Sequence, residues 1–399
     1  MLSSALIYAY VVVGSRVYGE ADFAPATVLL SLWFLGVALF GFPLEQWVLQ
    51  LRTAPLPRRD FRAASLAVAA FVSLGAAAVG IGAYAARGAL FDDSSPVFAL
   101  IASALVLACA ATGVLRGILA ASGRYDATAA SIVAENFVRL AAGATFAGIG
   151  LGVSAYTAAL PLGGLIAPLW IRAWRGVADL RTDLAARDRS VGQAVGRVVT
   201  TAAGQGLAQA LLAAPPIVVA ALNGAPATVT ATFGLLAVLR VPMSLASSMT
   251  TRVSAAIREL AATGDATVAA KRVRSGAMAV VLAAVAAGAI GAALQGALIA
   301  IVVGPGTVLP VAAAAALSAG AILALGGFVN TLALVALDRP KAALGVWALT
   351  PIVTAPVLFL SVQPTISAAN WLLSIEAAAL VLSAVAVQRA CATHRHSRW

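Results

Sequence analysis

The sequence predicts an all-α polytopic membrane protein, with about twelve transmembrane helices in two parallel six-helix lobes. Three observations predict this fold: an apolar composition, basic residues confined to alternate gaps between apolar segments, and an internal repeat. Apolar residues make up 62% of the 399 residues and charged residues only 10%, and the mean hydropathy is +0.98. Because a soluble domain carries about 25% charged residues, a soluble protein is excluded.

Twelve apolar segments are long enough to cross a bilayer, at ~20 residues each. They cover residues 1–17, 25–49, 63–85, 97–120, 127–149, 153–174, 197–222, 225–249, 275–297, 309–336, 342–362 and 366–388. All but four of the 26 lysines and arginines lie in or beside the gaps that follow the even-numbered segments. The positive-inside rule therefore predicts a multi-pass protein with both termini in the cytoplasm. The net charge of +11 is then explained by topology and contact with anionic lipid, not by nucleic-acid binding.

An internal repeat predicts the two lobes. The pentapeptide APATV occurs at 24–28 and at 225–229, each time opening the second segment of a six-segment half. Each of these two segments also carries a later proline, Pro43 or Pro242. Since six crossings preserve orientation, the two halves are predicted to be parallel. The predicted domains are 1–174, a basic linker 175–196, 197–388 and a cytoplasmic tail 389–399; apolar residues at helical spacing make the linker either a surface helix or a solvated loop.

The sequence offers little for enzyme chemistry. An enzyme of glycan assembly on the outer face needs catalytic groups in sizeable loops, whereas the gaps after the odd-numbered segments are short and carry few charges. His394 and His396 lie in the tail, where a solvated tail is a simpler reading than a metal site. Glycines such as Gly113 and Gly117 are typical of close helix contact. We therefore predict a protein that is not an enzyme, with no cofactor and no metal.

Charged residues inside the predicted segments are the candidates for function, because each costs ~2.5–3.5 kcal/mol on insertion scales unless it has a partner or faces a cavity. Glu135 and Arg139 are four residues apart on one helix face, so they form either a structural ion pair or part of a cavity. Arg240, just before Pro242, is a candidate cavity cation; the alternatives are snorkelling or pairing with Glu45 of the second span.

Weaker candidates complete the set. Arg16 either binds an anionic group or anchors the first span at the interface, and Glu376 either binds protons or hydrogen-bonds within its lobe. Gln205 and Gln209 lie one turn apart before a Pro-Pro pair, and Gln46 lies among aromatic residues of the second span. Amides, aromatic faces and cations suit a sugar diphosphate.

Three motifs carry a resemblance to a known family. They are GEADFA at 19–24, RGILAASGR at 116–124 and ENFVRL at 135–140. With them, the chain resembles the bacterial polysaccharide flippases, of the O-antigen type, in the multidrug/oligosaccharidyl-lipid/polysaccharide (MOP) exporter superfamily. The resemblance extends over nearly the whole chain.

This resemblance implies a MATE-like pair of lobes around a central cavity lined by spans one, two, seven and eight. It implies that Arg16, Arg240 and, less directly, Arg139 bind the diphosphate of an undecaprenyl-linked oligosaccharide. Glu135, Gln205, Gln209, Gln46 and Glu376 are then polar or coupling candidates. The first span carries no acidic residue of the kind that drug-extruding relatives use for coupling.

The favoured function is therefore flipping of a lipid-linked saccharide across the bacterial cytoplasmic membrane. A cation-coupled exporter of small molecules is the alternative, and a membrane enzyme of glycan assembly is the third hypothesis. The expected partners are the lipid-linked glycan and membrane lipids, with polysaccharide polymerase and export machinery as candidates and no nucleic acid. The protein is expected to act as a monomer.

Overall fold

A computed structural model describes the backbone of residues 2–53, 58–91, 96–170, 200, 204, 206–243, 266–337 and 339–396. Within these ranges the regular elements are all helices and no strand occurs. The predicted all-α fold is therefore confirmed. The chain divides into two compact units, Met1–Ala202 and Ala203–Trp399.

The N-terminal unit is organised around one central helix. Its α-helices are α1 (Leu2–Asp22), α2 (Ala24–Gly36), α3 (Phe42–Thr53), α4 (Arg58–Ala85), α5 (Arg87–Phe91), α6 (Val97–Ala121), α7 (Tyr125–Gly148), α8 (Val153–Leu162) and α9 (Ile166–Leu169). A π-helical turn, Val37–Gly41, joins α2 to α3, and a 3-10 turn, Gly163–Leu165, joins α8 to α9. Helix α6 contacts α2, α3, α4 and α8, and it therefore forms the centre of this unit.

The C-terminal unit is built around a pair of long helices. Its α-helices are α10 (Pro215–Ala221), α11 (Pro226–Leu239), α12 (Ala266–Val302), α13 (Val311–Ala336), α14 (Pro340–Thr354) and α15 (Pro364–His396), and a 3-10 turn, Ala355–Phe359, follows α14. Residues 206–213 and 241–243 are also helical. Helices α13 and α15 pack along each other, and α12 lies against both.

Eight helices in the described ranges are long and apolar enough to cross a membrane, so the chain is a multi-pass membrane protein. They cover Ala24–Leu49, Phe61–Ala85, Val97–Ala121, Pro226–Met243, Lys271–Val302, Val311–Ala336, Pro340–Phe359 and Pro364–Cys391. Each coincides with one of the twelve predicted spans. The spans predicted at 1–17 and 127–149 coincide with α1 and α7, which carry more polar residues. Those predicted at 153–174 and 197–222 are described only in part.

Of two predicted segments, the structure describes most of the tail 389–399 but not the linker 175–196. The linker 175–196 lies outside the described residues. Helix α15 continues to His396, so the segment predicted as a tail at 389–399 is helical through residue 396. The reason is local, because residues 365–396 contain neither glycine nor proline to end the helix.

Helices α12, α13 and α15 run in the alternating directions that successive membrane crossings require. In the C-terminal unit, Gly320 lies beside Leu372 and Asn330 bonds to Ser383, so α13 and α15 are parallel. Gly291 lies beside Ser318, whereas Gly326, farther along α13, lies beside the earlier residue Val280, so α12 is antiparallel to α13. These directions agree with spans nine, ten and twelve of the predicted topology.

Glycines bring α6 close to the second span in the N-terminal unit. A Cβ on Gly113 would lie 2.4 Å from the carbonyl oxygen of Gly41, and one on Gly117 would lie 2.7 Å from Cβ of Val48. No larger side chain fits at such distances without movement of the backbone. The predicted role of Gly113 and Gly117 in close helix contact is therefore confirmed.

Candidate functional site: charged residues inside the two units

Arg240 lies at a break in the middle of the predicted eighth span. Helix α11 ends at Leu239, Arg240 occupies the following turn, and residues 241–243 are helical again. The break precedes Pro242, which lacks an N–H and disfavours a continuous helix. Only 8% of Arg240 is exposed. The guanidinium is therefore held inside the C-terminal unit.

An interruption in the seventh span provides a partner for this cation. The helix over 206–213 stops before Ala214, and α10 begins at Pro215. In an unbroken helix the carbonyl of Leu212 would accept a hydrogen bond from the N–H of residue 216, but Pro216 has none. Arg240 Nη2 donates to this carbonyl instead, at 3.0 Å. One cation thus joins two interrupted helices at their breaks, an arrangement that we call the Arg240–Leu212 junction.

The second span, in the N-terminal unit, is distorted at the position that corresponds in the repeat to the break at Arg240. The π-helical turn Val37–Gly41 precedes Pro43, as the break at Arg240 precedes Pro242. Both copies of the repeated pentapeptide also begin a helix, α2 and α11. The sequence repeat is therefore accompanied by a repeated irregularity of the backbone. Irregular backbone at membrane depth is tolerated where it is buried in protein or lines a cavity.

Glu135 and Arg139 form the ion pair that their spacing predicts, and a third residue extends it. Glu135 Oε1 accepts from Arg139 Nη2, and Glu135 Oε2 accepts from Arg116 Nη2. Glu135 and Arg139 are buried almost completely, whereas 12% of the Arg116 side chain is exposed. The result is an ionic network of two cations and one anion between α6 and α7.

Arg139 also binds groups on other helices of the same unit. Its Nε donates to the carbonyl of Leu160 on α8 at 2.8 Å, and its Nη1 donates to Oδ1 of Asn136 at 2.8 Å. The guanidinium carbon lies 4.4 Å from the ring centroid of Trp33 on α2. This distance is within the range of a cation–π contact. A Cβ on Gly163 would lie 2.8 Å from Arg139 Nε, so the absence of a side chain there makes room for the guanidinium.

These contacts favour the interpretation of Glu135 and Arg139 as a structural ion pair and not as part of a cavity. Each nitrogen of the Arg139 guanidinium has an acceptor inside the N-terminal unit. Asn136 extends the network further, since its Nδ2 donates to Oγ of Ser3 on α1 at 2.7 Å. The network therefore connects α1, α2, α6, α7 and α8.

Glu376 is enclosed in the C-terminal unit. It lies in the middle of α15 and is 0% exposed, and neither carboxylate oxygen has a hydrogen-bond partner among the described residues. A carboxyl group in such surroundings is costly when it is ionised. Its surroundings are unlike those of Glu135, although both residues are acids inside spans.

The remaining predicted residues are spread over several elements. Arg16 on α1 and Gln46 on α3 are exposed, and Gln209 is half-buried. Gln205 lies outside the described residues. Within the described ranges, no group of three or more histidine, cysteine or acidic residues has the arrangement of a metal site.

Sequence reasoning missed two features of these sites. It placed Arg116 among the cytoplasmic gap residues, although Arg116 reaches Glu135; its position inside the predicted fourth span was the available signal. It also did not connect Arg240 with the Pro-Pro pair of the seventh span. The two prolines leave the carbonyl of Leu212 without a helical donor, but only the structure shows that Arg240 donates a hydrogen bond to this carbonyl.

Comparison with solved structures assigns the fold. An inward-facing multidrug resistance MATE family transporter of the MOP superfamily aligns with a TM-score of 0.63 at 12% identity, covering 98% of this chain and 95% of that one. A MOP superfamily transporter from Pyrococcus furiosus aligns at 0.56 and 14% identity, covering 100% and 94%. A Vibrio cholerae MATE transporter aligns at 0.53 and 14% identity, covering 97% and 94%.

No protein-family model matches the sequence, and neither does any characterised protein sequence. The similarity therefore lies in the arrangement of helices along the whole chain and not in residue identities. The chain is an all-α, multi-pass membrane protein with the fold of the MATE transporters of the MOP superfamily.

Proposed function

We propose that this protein is a transporter that works by alternating access and flips an undecaprenyl-diphosphate-linked oligosaccharide, or a related lipid-linked polysaccharide precursor. The proposed location is the bacterial cytoplasmic membrane, with both termini on the cytoplasmic side. The MATE fold supports transport by alternating access. The observation that carries the substrate class is the Arg240–Leu212 junction.

The junction has two properties that suit an anionic headgroup. First, binding sites of membrane transporters are typically formed where transmembrane helices are interrupted near the bilayer midplane, because the broken segments offer polar backbone groups there. Second, a guanidinium binds phosphate through a planar array of donors and stays charged at any physiological pH. Arg240 Nη2 donates to the carbonyl of Leu212.

Further contributions to the site remain part of the proposal. Arg16 is the second proposed cation, and Gln46, Gln205 and Gln209 are proposed contacts for sugar hydroxyls. Arg139 and Glu135 are proposed to act indirectly, by holding α1, α2 and α8 in place through the ionic network. The protein is proposed to work as a monomer without a cofactor.

The test separates the charge of Arg240 from its hydrogen bond to Leu212. The purified protein is reconstituted in liposomes, and translocation of a fluorescent undecaprenyl-diphosphate oligosaccharide is measured. Arg240→Gln keeps a donor for the carbonyl and removes the charge, whereas Arg240→Lys keeps the charge. Arg274→Ala, an exposed arginine of the same unit, is the matched control.

We expect Arg240→Gln to fold normally and to bind the lipid roughly 10- to 100-fold more weakly, which corresponds to ~1.5–3 kcal/mol for a hydrogen bond to a charged group. Arg240→Lys is expected to retain part of the binding, and Arg274→Ala all of it. If Arg240→Gln flips the lipid as the unmodified protein does, Arg240 is only a cap for the Leu212 carbonyl and the proposed substrate site is wrong.

A cation-coupled exporter of small molecules is the second candidate function. Glu376 favours it, because a buried acid is the group that an ion gradient can act on. Gradient-driven uptake of small organic cations, with no movement of several lipid-linked saccharides, would establish the exporter. Sugar transfer by the purified protein alone would instead establish an enzyme of glycan assembly.

A further inference from the structure

Helix α12 is longer than a membrane crossing requires, and much of it is not covered by the rest of the protein. It has 37 residues, which extend over roughly 55 Å at the helical rise per residue. The hydrocarbon core of a bilayer is only ~30 Å thick. The apolar part of the helix, Lys271–Val302, is mostly exposed. Helix α12 therefore contacts lipid along most of its length.

The buried and the exposed residues of α12 lie on opposite faces of the helix. On the buried face, Val273 and Ala284 belong to apolar clusters with residues of α13 and α15, and a Cβ on Gly326 of α13 would lie 2.7 Å from Val280. The opposite face carries four exposed apolar side chains, Met278, Val281, Leu282 and Val285, which we call the α12 stripe. Because they are spaced three or four residues apart, they form one continuous surface along the helix.

Two cations continue the α12 stripe toward the start of the helix. Lys271 lies seven residues before Met278 and Arg274 lies four residues before it, so both belong to the same exposed face. Neither side chain has a hydrogen bond or an ion pair within the described part of the chain. Positions three apart on a helix are ~5–6 Å apart at Cβ. Both side chains can therefore reach one and the same anionic group.

The surrounding charges at this end of the unit are positive. The starts of α12 and α14 and the end of α15 meet in one apolar cluster, and the basic residues around it are exposed; besides Lys271 and Arg274 they include Arg272, Lys341 and Arg389. Within the described residues after 203, the single acid is Glu376, which is buried in the middle of α15. The charge at this end therefore favours an anion from outside the chain.

An anionic phospholipid fits both the cations and the apolar surface beyond them. The α12 stripe lies four to eleven residues beyond Arg274, which is about 6–17 Å along the helix axis. One leaflet of the hydrocarbon core is ~15 Å deep, so an acyl chain can cover the stripe while the phosphate lies beside the cations. A soluble anion would match the cations alone, and a zwitterionic lipid would bring a positive charge of its own.

We propose that the exposed face of α12 is a binding site for an anionic phospholipid. The phosphate binds Lys271 and Arg274, as basic side chains at a membrane edge bind anionic headgroups, and an acyl chain covers the α12 stripe. With the orientation proposed above, this lipid belongs to the cytoplasmic leaflet. The site does not depend on the identity of the transported substrate.

A fluorescent probe beside the α12 stripe tests the proposal without any transport substrate. The probe is attached to Ala286→Cys, an exposed position four residues after Leu282, in a Cys391→Ser background; Cys109 is buried and is not labelled. The protein is reconstituted in phosphatidylcholine vesicles that contain either brominated phosphatidylglycerol or brominated phosphatidylcholine, which quench the probe on contact. Since one basic residue near a membrane surface is worth about fivefold in affinity, phosphatidylglycerol should quench at a roughly 5- to 25-fold lower mole fraction.

Matched variants separate binding at this face from general attraction to a basic surface. The double variant Lys271→Gln, Arg274→Gln is expected to be quenched equally by the two lipids. Arg272→Gln removes one charge from the same turn, but about 100° around the helix from Lys271, and should keep most of the preference. Arg62→Gln, on the exposed face of α4 in the other unit, should keep all of it. All four residues are exposed, so these variants should fold normally.

The outcomes are distinct from those of the flipping assay, because lipid contact is measured with no saccharide present. Loss of the preference in the double variant, with the preference kept in Arg272→Gln, supports the site whether or not the protein flips a lipid-linked saccharide. Equal quenching by the two brominated lipids before any of these arginines or Lys271 is changed refutes it. A loss in Arg272→Gln as large as in Arg274→Gln also refutes it, because net charge alone would then attract the lipid.

Discussion

Replacing Glu135 by Gln should destabilise the N-terminal unit more than any other single change in the ionic network. Glu135 is the only anion bound by Arg116 and Arg139 in the described part of the chain. Gln keeps the size of the side chain but removes its charge, so that the buried guanidinium of Arg139 loses its ion pair with Glu135. Arg139 is 0% exposed and has no access to water.

The size of the effect follows from these contacts. Removing one partner of a buried ion pair costs about 3–5 kcal/mol, because the other charge remains buried. Arg139→Met should cost less than Glu135→Gln, since Glu135 keeps its bond to Arg116. Arg116→Met should cost least, because Arg116 is partly exposed and Glu135 keeps Arg139. The expected order of destabilisation is Glu135→Gln, then Arg139→Met, then Arg116→Met.

The free energy of unfolding is measured in mixed micelles by titration with a denaturing detergent, with the fluorescence of the protein's seven tryptophans as the signal. Asp126→Asn, at an exposed acid on the same helix α7, is the control and should lie within about 0.5 kcal/mol of the unmodified protein. The reasoning is refuted if Glu135→Gln also lies within that range, or if Arg116→Met is the most damaging of the three changes.

Three further changes test the packing by the same measurement. Gly113→Val should cost several kcal/mol or prevent folding, because its Cβ would lie 2.4 Å from the carbonyl oxygen of Gly41; near-normal stability would mean that α6 can move away. Gly82→Ala has open space around it and should be neutral or stabilise α4 by up to about 1 kcal/mol, so a large loss would contradict the packing. Gln295→Ala should cost about 1–3 kcal/mol, because its side chain bonds to both the N–H and the carbonyl of Leu309, each at 2.8 Å; an unchanged stability would show that these groups find other partners.

Much of the fold could be predicted because membranes impose simple rules on sequence. Apolar segments of sufficient length and basic residues in alternate gaps predicted the helices, and the structure places helices at each predicted span that it describes. The spacing of Glu135 and Arg139 predicted their pairing, since four residues separate neighbours on one helix face. The directions of α12, α13 and α15 also followed from counting spans.

The sites could be predicted only in part. Arg240 and Glu376 stood out because an ionisable residue inside a span is costly. Their local sequence does not show that Arg240 binds a backbone carbonyl, or that the carboxylate of Glu376 has no hydrogen-bond partner among the described residues. Arg116 belongs by sequence to a cytoplasmic edge and by structure to the interior network. These relations join residues that are 19 or more positions apart, so no local pattern records them.

The sequence by itself thus determined the class of protein, the positions of its helices and the short list of costly charges. It did so because transfer of side chains into lipid depends on the side chain and on the length of the segment alone. The tertiary structure decided which charges neutralise each other, which carbonyl Arg240 binds, and that Glu376 is buried beside Gly327. Those outcomes depend on how the helices pack, and packing is a property of several distant segments together.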